Sequence, residues 1–413
     1  QPAPLSILHP SRYLLQAVPF LIPEAPLWLH RAWQVFLWLV ISGLTGWLVA
    51  RHAAKNQPRP VQLALGAGAV LFLFQGPVYY HLLVMTIVVL WGFNRLHPWR
   101  TLLIVLLASL WAGISRVNWL PVPGLLAAAM YFLECPLRSN GFSCSDANKR
   151  LKSLLQGYIC YLLPPAAWTI LGSLAAWGSQ QLYQAISGNP AAYFGSSFSS
   201  DLLWYRLLPN PTYPLGILPS ALLVSLPGLG LMAIRLLPAW RSYHPLRLLG
   251  LGTILGILFA GGVVVSVKIG GGSNLHNLDA YLVLLLVIGG YVWFGAAAEG
   301  ETVSQGIGDK GEGKWVMRLS PWLVGIAVAV PLVFALSIGG VWPSRDMQAA
   351  RADLETLRMA AQQAVMNGGK VLLINQRHLL AFGELPGVPL EADYELVFLM
   401  EMAMAGNLDY LES

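Results

Sequence analysis

The chain has 413 residues, of which 56% are hydrophobic and only 11% are charged, and its mean hydropathy is +0.59. A soluble domain carries about 25% charged residues, so this composition excludes a soluble globular protein and predicts that lipid surrounds most of the chain. The net charge of +6 does not indicate nucleic-acid binding, because the basic residues are spread over many short loops rather than gathered on one face.

The chain begins with a segment rich in proline and aromatic residues, residues 1–31, which contains no run long enough to cross a membrane. Ten apolar segments follow and define a transmembrane domain over residues 32–341. They cover roughly residues 32–50, 61–75, 81–94, 101–115, 121–136, 153–178, 213–235, 248–267, 279–297 and 320–341. A full span needs about 20 apolar residues. The four segments between residues 61 and 136 are shorter, so they are either short spans or helices that cross part of the bilayer.

The last part of the chain, residues 342–413, has the composition of a soluble polypeptide. Apolar residues at helical spacing predict a helix over 346–366, and residues 367–369 (Asn-Gly-Gly) predict its end. Residues 370–374 are typical of a short strand and residues 395–405 of a second helix. A lone strand forms no stable sheet, so we expect an incomplete α/β segment that continues beyond the last residue or docks on another subunit. The predicted fold class is therefore an all-α polytopic membrane bundle of about ten spans with this small α/β segment.

Lysine and arginine residues predict the orientation. One set of alternate loops holds fifteen of the 25 basic residues, the opposite short loops hold five, and the C-terminal segment holds the rest. Because cytoplasmic loops carry the excess of positive charge, we expect residues 1–31 and 342–413 to lie on the extracytoplasmic side.

Only three of the 19 acidic residues fall on the extracytoplasmic face of the predicted membrane domain: Glu24, Asp201 and Asp279. A general acid or base on that face would come from these three, from the C-terminal segment or from chain upstream of Gln1. They are therefore the candidate catalytic residues.

The most distinctive stretch is residues 268–281, Lys-Ile-Gly-Gly-Gly-Ser-Asn-Leu-His-Asn-Leu-Asp-Ala-Tyr. Lys268 suits a phosphate as a point charge, glycine backbone N–H groups offer donors to the same anion, and Asn274 and His276 extend the set. The alternative is a tight turn in which Asp279 caps the next helix. We expect Lys268 and Asp279 to lie in one polar cluster, with Asp279 or a bound phosphate as the counter-charge. A metal site on His276 and Asp279 is less favoured.

Two further extracytoplasmic stretches suit a phosphate or a sugar. Arg116 and Asn118 lie in Ser-Arg-Val-Asn-Trp at a helix end, where an arginine fits a phosphate and equally an interfacial anchor. For Trp119 we favour the interfacial anchor. Arg206 lies in a long aromatic loop, whose composition is typical of a carbohydrate- or lipid-contacting surface and equally of an interfacial helix. His81, at a short turn, is interpreted as a satisfied cap.

This layout resembles the C-type integral membrane glycosyltransferases, which use polyprenyl-phosphate sugars. The resemblance lies in the many spans, the outer N-terminal loop, the short paired helices, the Ser-Arg-Val-Asn-Trp motif of residues 115–119 and the external C-terminal segment. Residues 268–279 and 377–383 (Arg-His-Leu-Leu-Ala-Phe-Gly) are similar to segments of uncharacterised bacterial members. The family's catalytic acid lies in the first outer loop. Here that loop is residues 1–31, with Glu24 as its only acid, so the catalytic acid lies upstream of Gln1 or the activity is lost.

The resemblance implies a multi-pass protein of the bacterial plasma membrane that transfers a sugar from a lipid-phosphate donor on the extracytoplasmic face. Its expected partners are a lipid-linked sugar donor and membrane lipids, and the sequence predicts no particular cofactor. The alternative is a non-catalytic subunit that packs with other membrane subunits of a larger complex. A transporter is less favoured, because the sequence places no buried acid–base chain within a span.

Overall fold

The computed structural model describes most of the chain, in stretches separated by short gaps. The described residues are 5–7, 9–75, 78–135, 137, 147–195, 201–240, 243–268, 274–294, 326, 329–334, 336–337, 346–369, 371, 373 and 378–388. Within them the structure is helical. The helices are α1 (Pro10–Gln16), α2 (Leu27–Ala53), α3 (Arg59–Phe74), α4 (Tyr80–Gly92), α5 (Pro98–Gly113), α6 (Val122–Glu134), α7 (Ala147–Ile186), α8 (Ile217–Ala239), α9 (Pro245–Ser266), α10 (Asp279–Trp293), α11 (Met347–Met366) and α12 (His378–Ala381).

Five helices of the described part are long and apolar enough to cross a membrane. They are Leu27–Ala53, Gln156–Ile186, Ile217–Pro238, Pro245–Ser266 and His276–Trp293. The first nine predicted segments each coincide with a helix, but α3 to α6 have only 13 to 16 residues. The expectation of ten spans is therefore not supported. Helix α7 is longer than predicted, because it continues to Ile186 rather than ending at residue 178.

The C-terminal helix is confirmed, but the predicted α/β character is not supported. Asp346 caps α11 by accepting hydrogen bonds from the backbone N–H groups of Gln348 and Ala349. Gly368 ends the helix with a φ of 77°. No strand occurs in the described part of the chain, where only residues 371 and 373 of the predicted strand fall. The predicted helix at 395–405 lies outside the described residues.

The helices bury very unequal fractions of their surface. Helix α10 packs against α2, α6, α8 and α9, and 83% of the His276–Trp293 span is buried although its mean hydropathy is only 1.3. The Pro245–Ser266 span has the highest mean hydropathy, 2.4, yet only 17% of it is buried. Helix α10 is thus the centre of the bundle, and α9 lies at its periphery with most of its apolar surface turned outward.

Two glycines, Gly113 and Gly124, allow the segment between α5 and α6 to pack closely against α7. A Cβ atom on Gly124 would lie 2.6 Å from the Cα of Thr169, and one on Gly113 would lie 2.2 Å from the carbonyl oxygen of Ala176. Backbones this close exclude any side chain at the two glycines, as in close-packed helix pairs of membrane proteins. This packing holds the intervening residues, which carry Arg116, in a defined place.

The two ends of the described chain meet. The ring of Phe382, just after α12, lies edge-on to His30 at 5.2 Å between centroids, and His30 contacts Phe20 at 4.3 Å. The C-terminal segment therefore packs beside the start of α2.

Candidate functional site

A buried ion pair lies at the N-terminal end of α10. We call this end of the helix the Asp279 end. The Asp279 side chain is fully buried, and its Oδ2 accepts a hydrogen bond from Nη1 of Arg116 at 3.0 Å. Oδ1 accepts from Nε1 of Trp119 at 2.8 Å and from the backbone N–H of Ala280 at 2.7 Å, and Nδ2 of Asn118 lies at 3.4 Å. Four donors therefore surround one carboxylate, which compensates for much of its desolvation.

Arg116 connects two segments that lie far apart in the sequence. Besides Asp279, its guanidinium donates to the side-chain oxygen of Asn277 at 2.5 Å and to the carbonyl oxygen of His276 at 3.2 Å. Only 11% of its side chain is exposed. The arginine thus fixes the turn before α10 against the α5–α6 turn.

Helix α1 docks on the same turn through polar contacts. The backbone N–H of Ser11 donates to the carbonyl oxygen of Ile114 at 3.0 Å, and Oγ of Ser115 donates to Oγ of Ser11 at 2.7 Å. Nδ1 of His9 lies 2.9 Å from the carbonyl oxygen of Ser115. These contacts place Arg12, on the first turn of α1, over the ring of Tyr79 at 5.7 Å from its centroid.

We call His9, Arg12, His81 and Arg116 the basic cluster. The ring of His81, in the first turn of α4, is 5.6 Å from the ring of His9 and 5.6 Å from that of Tyr79. Burial lowers the pKa of His9 to about 3, and the charges of Arg116 and Arg12 act in the same direction against the bond to Ser115. His9 is therefore neutral at pH 7 and does not add to the charge of the two arginines.

Several buried polar atoms of the basic cluster have no hydrogen-bond partner among the described residues. His81 is 1% exposed, and both of its ring nitrogens lack a partner, as does Nε of Arg12. Buried nitrogen atoms are nearly always hydrogen-bonded in folded proteins. The cluster can therefore donate hydrogen bonds to a bound water or anion.

The structure brings some of the predicted site residues together. Arg116, Asn118, His276 and Asp279 form one connected cluster, and Asn274 orients His276 by accepting hydrogen bonds from its backbone N–H at 2.8 Å and from its Nδ1. These residues come from two separate predicted stretches, the one around Arg116 and the one that begins at Lys268, which we expect to face one shared cavity.

Three expectations about this part of the chain were wrong. The counter-charge of Asp279 is Arg116 rather than Lys268, because the α5–α6 turn covers the start of α10. Trp119 is not an interfacial anchor, since it is fully buried and donates to Asp279. His81 is likewise not a satisfied cap.

The other predicted site residues lie elsewhere. Nη1 of Arg206 donates to the carbonyl oxygen of Lys268 at 2.6 Å, which ties the aromatic loop to the end of α9. Glu24 and Asp201 are both exposed. The glycines between residues 268 and 274 lie outside the described residues, so the phosphate role of Lys268 stays a prediction.

A second polar cluster lies at the opposite end of α10, the Tyr291 end. The hydroxyl of Tyr291 donates to Oε1 of Glu134 at 2.6 Å, and Nδ1 of His52 lies 3.7 Å from the same oxygen. Nη1 of Arg95 donates to the carbonyl oxygen of Glu134 at 2.8 Å. The side chains of His52 and Glu134 are 24% and 21% exposed, so this cluster is less buried than the Asp279 end.

Sequence reasoning missed His9 and Arg12 and gave His81 the wrong role. In the sequence, Arg12 is one of the five basic residues of the predicted extracytoplasmic loops, and no motif distinguishes it from the other four. The sequence does hold one signal: polar residues occur at the start of both α1 and α4, and both helix starts are predicted on the same side of the membrane.

Comparison of the chain with known protein families, with curated proteins and with solved structures found no match. No group of three or more metal-ligating side chains occurs among the residues that the structure describes. The geometry of the basic cluster is therefore the feature of the molecule that indicates a function.

Proposed function

We propose that this chain is a membrane glycosyltransferase that takes a sugar from a lipid-phosphate donor at the extracytoplasmic boundary of the bilayer. The observation that carries the proposal is the basic cluster, with its buried donors that lack a partner among the described residues. The carboxylate of Asp279 balances the charge of Arg116. By contrast, no carboxylate of the described residues lies within ion-pair distance of Arg12. The cluster therefore favours an anion, and a lipid phosphate is the anion available at a membrane boundary.

Each polar residue has a proposed role in this reaction. Arg12 and Arg116 hold the phosphate and stabilise the negative charge that develops on it as the glycosidic bond breaks. Asp279, already engaged by four donors, is a positioning residue that aims Arg116. The base for the acceptor hydroxyl is then an exposed acid, Glu24 or Asp201, since neither is engaged in a comparable network.

The orientation is part of the same proposal. The excess of positive charge in alternate loops favours an extracytoplasmic location for residues 1–31, and with it for the basic cluster. The contact between Phe382 and His30 supports the same side for the C-terminal segment. The bacterial plasma membrane is the compartment in which polyprenyl-phosphate donors would meet this face.

Binding of a polyprenyl monophosphate to the purified chain in detergent tests the proposal, with the unphosphorylated polyprenol as the matched ligand. Arg12→Gln should weaken phosphate binding by about tenfold, the equivalent of about 1.4 kcal/mol, and leave polyprenol binding unchanged. Arg31→Gln is the control, because Arg31 is an exposed arginine on the same predicted side. It should bind the phosphate as the parent does.

Equal affinity for the polyprenyl phosphate and the polyprenol would contradict the proposal. Equal losses in the Arg12 and Arg31 variants would contradict the assigned site, since the effect would then be general charge attraction. The thermal unfolding midpoint of each variant, measured without ligand, separates lost binding from lost folding.

One observation favours the alternative, a non-catalytic subunit of a larger complex. Leu354, Leu357 and Val365 form an apolar stripe on α11 that is only half-buried within the described structure. A partner subunit could cover this stripe. A chain that binds no polyprenyl phosphate but co-purifies with a membrane partner through α11 would support this alternative.

A further inference from the structure

An apolar cavity of about 240 Å³ lies between α8, α9 and α10 near the Tyr291 end of α10. Aliphatic and thioether side chains form most of its wall, among them Leu133, Met232, Leu236, Leu251, Leu255 and Ile288. Tyr243 and Arg247, which flank the start of α9, also line it. The cavity is thus apolar along α9 and polar where that helix begins.

The surroundings of this cavity identify the kind of molecule that can fill it. Helices α8 and α9 are long and apolar enough to cross a membrane, and Gly252, which lines the cavity, is exposed. The neighbouring solvent is therefore lipid hydrocarbon rather than water. We propose that the cavity binds an acyl chain of an anionic phospholipid, whose headgroup lies beside Tyr243 and Arg247.

The polar end has the charge that an anionic headgroup requires. Nε of Arg247 donates to the carbonyl oxygen of Phe132 at 2.7 Å and Nη2 to that of Leu133 at 3.1 Å. Arg235 lies over the ring of Trp293 at 4.7 Å, one residue from the cavity-lining Leu236. Basic pockets between membrane helices are a recurrent way of binding lipid headgroups.

Two glycines of α9 provide a matched test of the acyl-chain site. A Cβ atom on either Gly252 or Gly256 would meet no atom within 4 Å, so both positions accept a side chain. Only Gly252 lines the cavity. Gly252→Leu should fill the cavity and weaken binding of palmitoyl-oleoyl phosphatidylglycerol by about tenfold or more, since the chain loses its apolar contacts. Gly256→Leu should bind the lipid as the parent does.

Native mass spectrometry of the full chain, with phosphatidylglycerol and with phosphatidylcholine of the same acyl chains, measures both parts of the proposal. The parent should prefer phosphatidylglycerol. Arg235→Gln should reduce this preference by about fivefold, the effect expected of one basic residue near a headgroup. Arg247 is not substituted, because its bonds to α6 make a loss of folding indistinguishable from a loss of binding.

Equal phosphatidylglycerol binding by the Gly252 and Gly256 variants would overturn the acyl-chain site. Equal binding of the two lipids by the parent would overturn the anionic headgroup. The cavity lies at the opposite end of α10 from the basic cluster, so failure of polyprenyl phosphate binding would leave this proposal intact.

Discussion

The two ends of α10 differ in how deeply their charged side chains are buried and in how those side chains are paired. At the Asp279 end, a carboxylate with no exposed surface is paired with Arg116 and held by three further donors. At the Tyr291 end, Glu134 is a partly exposed acid that shares one oxygen with Tyr291 and His52. The same helix therefore has a buried ion pair, which we call the dry pair, at one end and a partly exposed network at the other.

The difference shows what each cluster is able to do. Removing one partner from a dry ion pair leaves a buried charge without compensation, so the Asp279 end tolerates little change. Partly exposed ion pairs contribute little to stability, so we expect the network at the Tyr291 end to contribute less. A buried, charged and partly unsatisfied site fits ligand binding better than an exposed one, which is why we place the phosphate at the Asp279 end.

The largest expected effect comes from breaking the dry pair. Asp279→Asn should destabilise the protein by about 3–5 kcal/mol, because Arg116 keeps its charge in a buried place without a counter-ion. Unfolding by dodecyl sulfate in mixed micelles measures this free energy. Asp201→Asn makes the same chemical change at an exposed acid and should stay within about 0.5 kcal/mol of the parent. A loss no larger than that of an exposed pair, below about 1 kcal/mol, in Asp279→Asn would contradict the assignment of Asp279 to a dry ion pair.

A smaller effect is expected at the Tyr291 end. Glu134→Ala removes the bond from Tyr291 and the contact with His52, and should cost about 1–2 kcal/mol of unfolding free energy. Glu134→Gln keeps an acceptor for Tyr291 and should cost about half as much. The same mixed-micelle unfolding applies. If Glu134→Ala proves as costly as Asp279→Asn, water does not screen this cluster and the contrast fails.

The smallest effect concerns acid pH at the basic cluster. The folded-state pKa of His9 is lowered to about 3 from its ordinary 6.5, so between these values the unfolded chain is protonated at His9 and the folded chain is not. The free energy of unfolding is therefore unaffected by His9 above pH 6.5 and falls as the pH drops towards 3. Between pH 7 and pH 6 the parent should lose about 0.7 kcal/mol through His9. His9→Gln should show a correspondingly smaller loss, and an unchanged pH dependence would assign the effect to another group.

The helices were more predictable from the sequence than the contacts between them. Apolar run length located α2 to α10, since a membrane helix is coded by consecutive residues. Run length also marked the four segments between residues 61 and 136 as short, in agreement with the 13 to 16 residues of α3 to α6. It did not reveal that α7 continues to Ile186.

The candidate site was predictable as residues but not as pairs. Arg116 and Asp279 were each singled out from local motifs. The sequence favoured Lys268 as the partner of Asp279 because it lies nearby in the chain, whereas the partner found is 163 residues away. The choice between several basic residues is made by helix packing, and in particular by the close contacts of Gly113 and Gly124 with α7.

The burial of α10 has a consequence for biosynthesis. A nascent chain leaves the translocon in order, and α10 is a weakly apolar helix that begins with an aspartate, whereas α9 just before it is strongly apolar. A carboxylate facing hydrocarbon is costly until a partner reaches it. Helix α9 is therefore suited to retain the growing chain in the bilayer while α10 finds its place between α2, α6 and α8. Arg116 is synthesised long before Asp279, so it can already pair with the aspartate when α10 packs into the bundle.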